Sequence, residues 1–309
     1  MEEPIVKVER LSHRYSIQWA IRDISFEIPG RGIYGLLGSN GAGKSTTMNI
    51  ISGVIKQTEG NVFIKGIDTR KDPVKAKRLI GFLPQKPPLY GDLTVEEYLV
   101  HCARLRWVPN EKIPAALDKV LDRCGIAHFR KRLIKNLSGG YQQRVGIAQA
   151  IIHEPELVIF DEPTNGLDPN QIVEVRHLIK DIAEERTVIL STHILTEVQA
   201  ICDSIMMIEE GHLVFMGTVE DFDNYITPNS LFVSFVDAPT VEVLARIEGV
   251  QKAEELGQGK FRVHFTDAQE TTDAIVKAST AGEWRLSEIR VEKSSLDNIF
   301  AELTRKAQK

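Results

Sequence analysis

Cysteine is scarce in this sequence. Cys102, Cys124 and Cys202 are the only three among 309 residues. None forms a CxxC pair or sits at metal-ligand spacing with a histidine, which excludes a disulfide framework and a zinc site of the usual kind. Three isolated thiols read as reduced and mostly buried, as in a cytosolic protein. Long apolar runs are missing too. Leu157–Phe160 and Val188–Leu190 fall far short of the ~20 residues that a spanning helix needs. If the chain acts at a membrane, something else must hold it there. The opening Met1-Glu2-Glu3-Pro4 is acidic and lacks the basic-then-apolar pattern of a secretion signal. There is no basic excess either: 38 Lys and Arg stand against 43 Asp and Glu, a net charge of −5. Nucleic acid is therefore not an expected partner. Low-complexity runs, internal repeats and a second phosphate loop are absent.

What is present is an ordinary globular composition, 42% hydrophobic and 26% charged, able to bury a core. Residues 5–10 and 21–28 alternate apolar and polar side chains, as half-buried antiparallel strands do. Ile33–Leu37 is an apolar strand that runs into a glycine-rich loop, and a helix follows over Lys44–Gly53. Strands are predicted at 61–65 and 79–83. Thr94–Arg106, Pro114–Cys124 and Gln142–Ile152 carry apolar residues at helical spacing. This helical block, about 86–154, lies between strand-rich blocks. Strands return at Leu157–Phe160, Thr187–Leu190 and Ile205–Glu209, with helices at about 170–184 and 194–201. Near Asp223–Ser230 the residues Asn224, Thr227, Pro228, Asn229 and Ser230 cluster as a boundary. It divides a first domain, 1–224, from a second, 225–309. The second has the order strand (231–236), helix (240–248), strand (250–255), strand (260–265), helix (268–280), strand (284–292), helix (295–305). Its first six elements have the β-α-β-β-α-β order of a ferredoxin-like α+β unit.

The run Gly38-Ser39-Asn40-Gly41-Ala42-Gly43-Lys44-Ser45-Thr46 matches GxxxxGK[ST] between a strand and a helix, the context a phosphate loop requires. Glycines let backbone N–H groups curl round phosphates, and the helix N-terminus favours an anion. Lys44 reaches the β- and γ-phosphates, and Ser45 offers a hydroxyl to Mg²⁺. Leu157-Val158-Ile159-Phe160-Asp161-Glu162 is an apolar strand ending in two acids. Beside a phosphate loop, such a strand supplies a metal-binding carboxylate, Asp161, and a base one residue on, Glu162.

A third motif, Leu137-Ser138-Gly139-Gly140-Tyr141-Gln142-Gln143-Arg144, fixes a resemblance. With the two preceding motifs, its LSGG run resembles the signature of the ATP-binding cassette (ABC) ATPases. That resemblance implies an α/β fold: a P-loop core with an antiparallel β-subdomain and a helical subdomain. It implies that Ser138, Gly139 and Gly140 of one subunit cap the ATP held by another. The common fifth residue of the signature is glutamine, whereas this chain has Tyr141. Further matches occur in order. Tyr15 resembles the aromatic that stacks on adenine. Gln85 in Phe82-Leu83-Pro84-Gln85 resembles the glutamine that senses Mg²⁺ and borders the transmembrane partner. Gly166-Leu167-Asp168-Pro169 resembles the loop that crosses the dimer interface. His193 resembles the switch histidine on the γ-phosphate. The resemblance covers roughly residues 4–220.

The resemblance implies an ATP-hydrolysing subunit at the cytoplasmic face of a membrane. It would work with a transmembrane permease and with a second copy in a head-to-tail ATP sandwich. Ser294-Ser295-Leu296-Asp297-Asn298-Ile299-Phe300-Ala301-Glu302-Leu303-Thr304 looks like the tail of bacterial export-type subunits serving drug, sodium, lipid, polysaccharide or gliding-motility systems. Two rivals are a soluble cassette ATPase not linked to transport and a regulatory module that only holds nucleotide. The first usually fuses two cassettes or carries a long coiled coil, and this chain has neither. The second would have lost its lysine or base, and Lys44 and Glu162 are both present.

Overall fold

The computed structural model describes residues 3–223, 225 and 230–292. The chain divides into two compact units, Met1–Val219 and Glu220–Lys309.

The first unit opens with a hairpin, β1 (Val6–Tyr15) and β2 (Gln18–Ile28). Then come β3 (Gly32–Leu37), α1 (Lys44–Ile51), β4 (Glu59–Ile64), β5 (Ile67–Asp68), α2 (Pro73–Arg78) and β6 (Ile80–Leu83). The helical stretch holds α3 (Val95–Leu105), α4 (Ile113–Arg123) and α5 (Gly139–Ile151). The unit continues with β7 (Leu157–Asp161), α6 (Pro169–Ala183), β8 (Thr187–Thr192), α7 (Leu195–Ile201), β9 (Ser204–Glu209) and β10 (His212–Thr218), and α8 (Val219–Asp223) follows. Two sheets form. An antiparallel sheet has the order β2-β1-β4-β5, and a six-stranded sheet the order β10-β9-β3-β8-β7-β6. In the second, β6, β7, β8, β3 and β9 all run parallel, and only the edge strand β10 is antiparallel. The parallel strands β7 and β8 are buried along their whole length, which is why they read as continuous apolar runs. One core joins both sheets, from Val6, Leu11 and Ile24 of the hairpin to Leu36, Ile159 and Ile189 of the parallel strands.

The hairpin strands are longer than the alternation in sequence indicates. Register shifts interrupt β1 between Val8 and Leu11, where Arg10 takes a left-handed φ of 46°. A bulge of this kind ends the period-two pattern without ending the strand. Helix α3 starts where Thr94 and Glu97 form a reciprocal capping box. Arg130 then braces the helical stretch through Glu96 at 2.8 Å and Asp118 at 2.7 Å.

The second unit contains β11 (Ser230–Phe235), α9 (Val241–Leu244), β12 (Val250–Gly257), β13 (Lys260–Phe265), α10 (Ala268–Ala281) and β14 (Leu286–Glu292). Its antiparallel sheet has the order β12-β13-β11-β14. Counted within the unit this is 2-3-1-4, the ferredoxin-like arrangement read from the element order. Leu231, Val233, Phe235, Leu244, Phe261, Val263 and Ile275 form its core. Helix α9 is shorter than the 240–248 expected. The expected helix 295–305, with Ser294–Thr304, lies outside the described residues.

All three cysteines are free thiols. Burial pushes the Cys124 and Cys202 thiols up to about 12. Among the described residues no helix is long and apolar enough to cross a membrane.

Candidate functional site

Parallel strands place the residues that follow their C-terminal ends along one edge of the sheet, where open α/β sheets bind ligands. Leu37 of β3 pairs with Thr192 of β8, Asp161 of β7 with Ser191 of β8, and Leu83 of β6 with Phe160 of β7. The phosphate loop after β3, the acids at the end of β7 and His193 after β8 therefore share one edge. Gln85 leaves that edge two residues beyond β6 and is exposed.

The loop has the backbone its sequence demands. Gly41 and Gly43 take left-handed φ values of 87° and 110°. A Cβ on Gly43 would meet Ile21 Cγ2 at 2.5 Å and Ala20 O at 2.8 Å, whereas nothing lies within 4 Å of one on Gly41. Gly43 is thus required by both conformation and space. Gly41 faces an open cradle next to the exposed Asn40. Ala42 closes a turn onto Ser39 O at 3.2 Å, and Thr46 lies in the first turn of α1.

Lys44 is 5% exposed. Its Nζ donates to Gly38 O at 2.9 Å and to Ser39 O at 3.0 Å. Burial lowers its pKa, and the carboxylates of Glu162, Asp161 and Glu209 act against that shift. A buried cation held by two carbonyls suits an incoming phosphate, which stabilises the charge that burial disfavours. Ser45 Oγ stands 3.3 Å from Asp161 Oδ1. A hydroxyl and a carboxylate oxygen side by side are hard donors, and Mg²⁺ is commonly held by one or two protein oxygens plus substrate phosphates. The donor set fits a magnesium nucleotide.

Glu162 and His193 form a pair. His193 Nδ1 lies 3.0 Å and 3.1 Å from the two carboxylate oxygens of Glu162. In this pair the ring N–H at Nδ1 is the donor and the carboxylate the acceptor. Glu162 has a left-handed φ of 50°. For a residue with a Cβ this costs about 1–2 kcal/mol. The strain is held by its N–H, which donates to both Ser191 O and Ser191 Oγ at 3.1 Å. Strained non-glycine residues of this kind cluster at reactive sites.

The structure therefore brings together Lys44, Ser45, Asp161, Glu162 and His193, drawn from three strand ends. Tyr15 stands at the tip of the hairpin, 52% exposed and edge-to-face with His13 at 4.7 Å. The same hairpin touches the phosphate loop through Ala20 and Ile21 at Gly43. Ser138, Gly139 and Gly140 occupy the N-terminus of α5. Ser138 is the N-cap residue but makes no side-chain capping bond, and both it and Gly139 are exposed. A Cβ on Gly139 would meet nothing within 4 Å. Tyr141 turns into its own helical stretch. Its ring packs edge-on against Phe129 at 4.6 Å and His128 at 5.8 Å. Asp168 caps α6 by accepting from Gln171 N at 3.0 Å.

Sequence reading missed three supports. Ser191 Oγ donates to Asp161 Oδ1. Glu209, at the end of β9, accepts from Ser39 Oγ at 2.8 Å and Ser39 N at 3.2 Å, bracing the phosphate loop. Gln143 of α5 donates to Pro163 O at 2.7 Å, tying the LSGG helix to the turn after Glu162. The available signal was a polar residue closing an otherwise apolar strand, as in Ser191 and Glu209.

Residues 21–165 match the sequence model of the ABC transporter family. The chain is 29% identical over 305 residues to the linearmycin resistance ATP-binding protein LnrL of Bacillus subtilis, covering 97% of this chain and 98% of that protein. It is 40% identical over 212 residues to the bacitracin transport ATP-binding protein BcrA of Bacillus licheniformis, 68% of each. Among solved structures, the ATP-binding cassette MJ0796, described as a dimer bound to ADP and Pi, superposes with a TM-score of 0.64 at 26% identity. That match covers 69% of this chain and 98% of that one. The α/β P-loop architecture expected from sequence is the architecture of that solved cassette. The chain belongs to the ABC transporter family, among its ATP-binding subunits.

Proposed function

We propose that this subunit hydrolyses ATP in a head-to-tail dimer and drives export through a separate transmembrane subunit, at the cytoplasmic face of a membrane. The observation that carries the reading is the convergence of Lys44, Asp161, Glu162 and His193 on one sheet edge, where a phosphate loop already has its required backbone.

Lys44 binds the β- and γ-phosphates, and the loop N–H groups from Gly38 to Thr46 surround them. Ser45 and Asp161 would hold Mg²⁺, with Gln85 beside them, and the ion when bound would neutralise charge on the phosphate oxygens. Glu162 orients the attacking water and takes its proton. His193 leaves Glu162 to contact the γ-phosphate. Tyr15 stacks on adenine from the hairpin tip. Ser138, Gly139 and Gly140 of the second copy, at an exposed helix N-terminus, close over the same phosphates, with Asp168 at the interface. ATP binding then favours the closed dimer because the nucleotide contacts both copies. The dimeric solved relative supports the assembly. The relatives named for linearmycin resistance and bacitracin transport support an export role.

Glu162→Gln is the decisive variant. It keeps shape and ATP binding but loses the base, so turnover stops and an ATP-dependent dimer accumulates in size-exclusion chromatography. Wild-type turnover in this variant would remove Glu162 from the role. The permease contact is expected at Gln85 to Thr94. There Tyr90 is 61% exposed, flanked by Tyr98 and His101, while Leu89 lines the adjoining groove. Leu89→Glu with Tyr90→Glu should reduce co-purification of a membrane subunit and spare basal hydrolysis. Intact complex formation would place the contact elsewhere.

A further inference from the structure

One buried acid in the first unit takes no part in the reading above. Glu197 of α7 is 2% exposed. One carboxylate oxygen accepts from Thr164 Oγ1 at 2.7 Å and the other from Thr192 Oγ1 at 2.8 Å. Arg176 Nη2 of α6 stands 3.6 Å from Oε1. These partners come from different places. Thr164 lies in the turn two residues after Glu162, and Thr192 directly precedes His193. Arg176 belongs to the helix that Asp168 caps.

The Thr192 hydroxyl is used twice. It gives its proton to Glu197 and accepts the N–H of Ile194 at 3.0 Å. Its acceptor and donor sides thus fix the backbone on both sides of His193. On the other arm, Thr164 anchors the turn that begins with the strained Glu162. A single carboxylate therefore joins the segment carrying the base to the segment carrying the histidine.

Packing alone does not account for an acid here. Burying a carboxylate costs several kcal/mol unless it is fully paired, and an apolar side chain of similar size fills such a site more cheaply. What the carboxylate adds is two acceptor oxygens, which tie two separate loops.

We propose that Glu197 is a positioning residue for ATP hydrolysis: by bonding Thr164 and Thr192 it holds the Glu162 turn and the His193 loop in one register. The proposal rests on the reading of Glu162 and His193 as the hydrolytic pair. It assigns Glu197 no contact with nucleotide. Its removal therefore acts on turnover and leaves nucleotide binding alone, since Lys44, Ser45 and Tyr15 keep their own supports.

The test compares full-length variants. Glu197→Ala should lower kcat about tenfold or more, because misplacement by about 1 Å can cost up to about a hundredfold. KM for ATP should stay within roughly twofold, the pattern of an interaction felt only in the transition state. Glu197→Gln keeps length and can bond both hydroxyls, so it should recover most of the rate. A purely structural role would not predict the next readout. With ¹³C-labelled histidine, the His193 ring signal, assigned by its loss in His193→Ala, should shift or broaden in Glu197→Ala, while the His153 signal stays in place. Thr192→Val, which removes one of the two links and preserves shape, should reproduce both effects and serves if Glu197→Ala does not fold. Wild-type kcat, an equal rise in KM, or an unmoved His193 signal would overturn the proposal. The hydrolysis reading stands or falls separately. An active Glu162→Gln enzyme refutes that reading, whereas an inactive one beside an unimpaired Glu197→Ala refutes only the positioning role.

Discussion

The two units of this chain handle charge in opposite ways. The first buries Lys44, Asp161, Glu162, Glu197 and Glu209, all at strand ends or in the turns and helix that follow them. In the second, the buried polar residues among those described are Ser230, Thr271 and Ser279, all neutral. Among the described residues its charges stay outside the core, and a partly exposed pair sits on the sheet. Arg262 forks onto Glu292 at 2.5 Å and 3.0 Å, Glu292 accepts from Ser230 Oγ at 3.2 Å, and Arg290 lies over the Phe232 ring at 4.6 Å. Buried charge is expensive and is kept where it does chemistry or positions what does. The first unit spends stability on a site. The second has an apolar core and a salt bridge on its sheet.

The largest effect that would break this contrast is at Lys44. Lys44→Ala removes the buried cation and should abolish hydrolysis, by about 10²-fold or more, and sharply weaken ATP binding. Near-normal steady-state turnover would show that the buried charge of the first unit is not its working part.

The pH response should separate the units next. His153 is pushed down to about 4, first by burial and then by the nearby Arg106 charge, against the effect of its bond to Ile80 O. The unfolded chain takes up a proton near 6.5 and the folded one only near 4, so stability is full above 6.5 and is lost as pH falls toward 4. The loss reaches about 3 kcal/mol at the low end. In the second unit, the Arg262 guanidinium bonded to Glu292 holds that carboxyl below its ordinary 4.5. Its contribution is present above 4.5 and fades only as pH drops further. Thermal melts from pH 7 to 4 should therefore show the first unit weakening first. His153→Leu should flatten that dependence. An unchanged slope in the variant would discard His153 as its source.

Deleting residues 225–309 sharpens the comparison further. The nucleotide motifs end at His193, so the shortened chain should fold and hydrolyse ATP within roughly twofold of the full chain. A shortened chain that unfolds, or one tenfold slower in a coupled ATPase assay, would mean that the second unit supports the site. The smallest effect is expected at Arg262→Ala. That pair is partly exposed and solvent-screened, so chemical denaturation should register under about 1 kcal/mol. A loss of several kcal/mol would show that the pair is a structural centre after all.

Legibility followed the range of the interaction. The glycines of the phosphate loop, the helical spacing from Thr94 and the apolar strand before Asp161 are local, so the residues themselves announce them. Helix α2 and strand β10 were not legible. The six residues of α2 are too few for a period, and β10 is a half-exposed edge. The end of β1 was hidden by its bulge.

A phosphate loop, an LSGG helix, a strand ending in two acids and a histidine can be read in order along the chain, because each is a short stretch with its own backbone requirement. Tertiary structure alone decided that they meet. Ser45 and Asp161 are 116 residues apart in the chain, and Ser39 and Glu209 are 170. Parallel pairing of β6, β7, β8, β3 and β9 brings their C-terminal ends to one edge, and no local pattern encodes that strand order. Ser191 and Glu209 stand out as polar residues near the ends of apolar strands and Glu197 lies in a short helix, but which partner each bonds was decided only there.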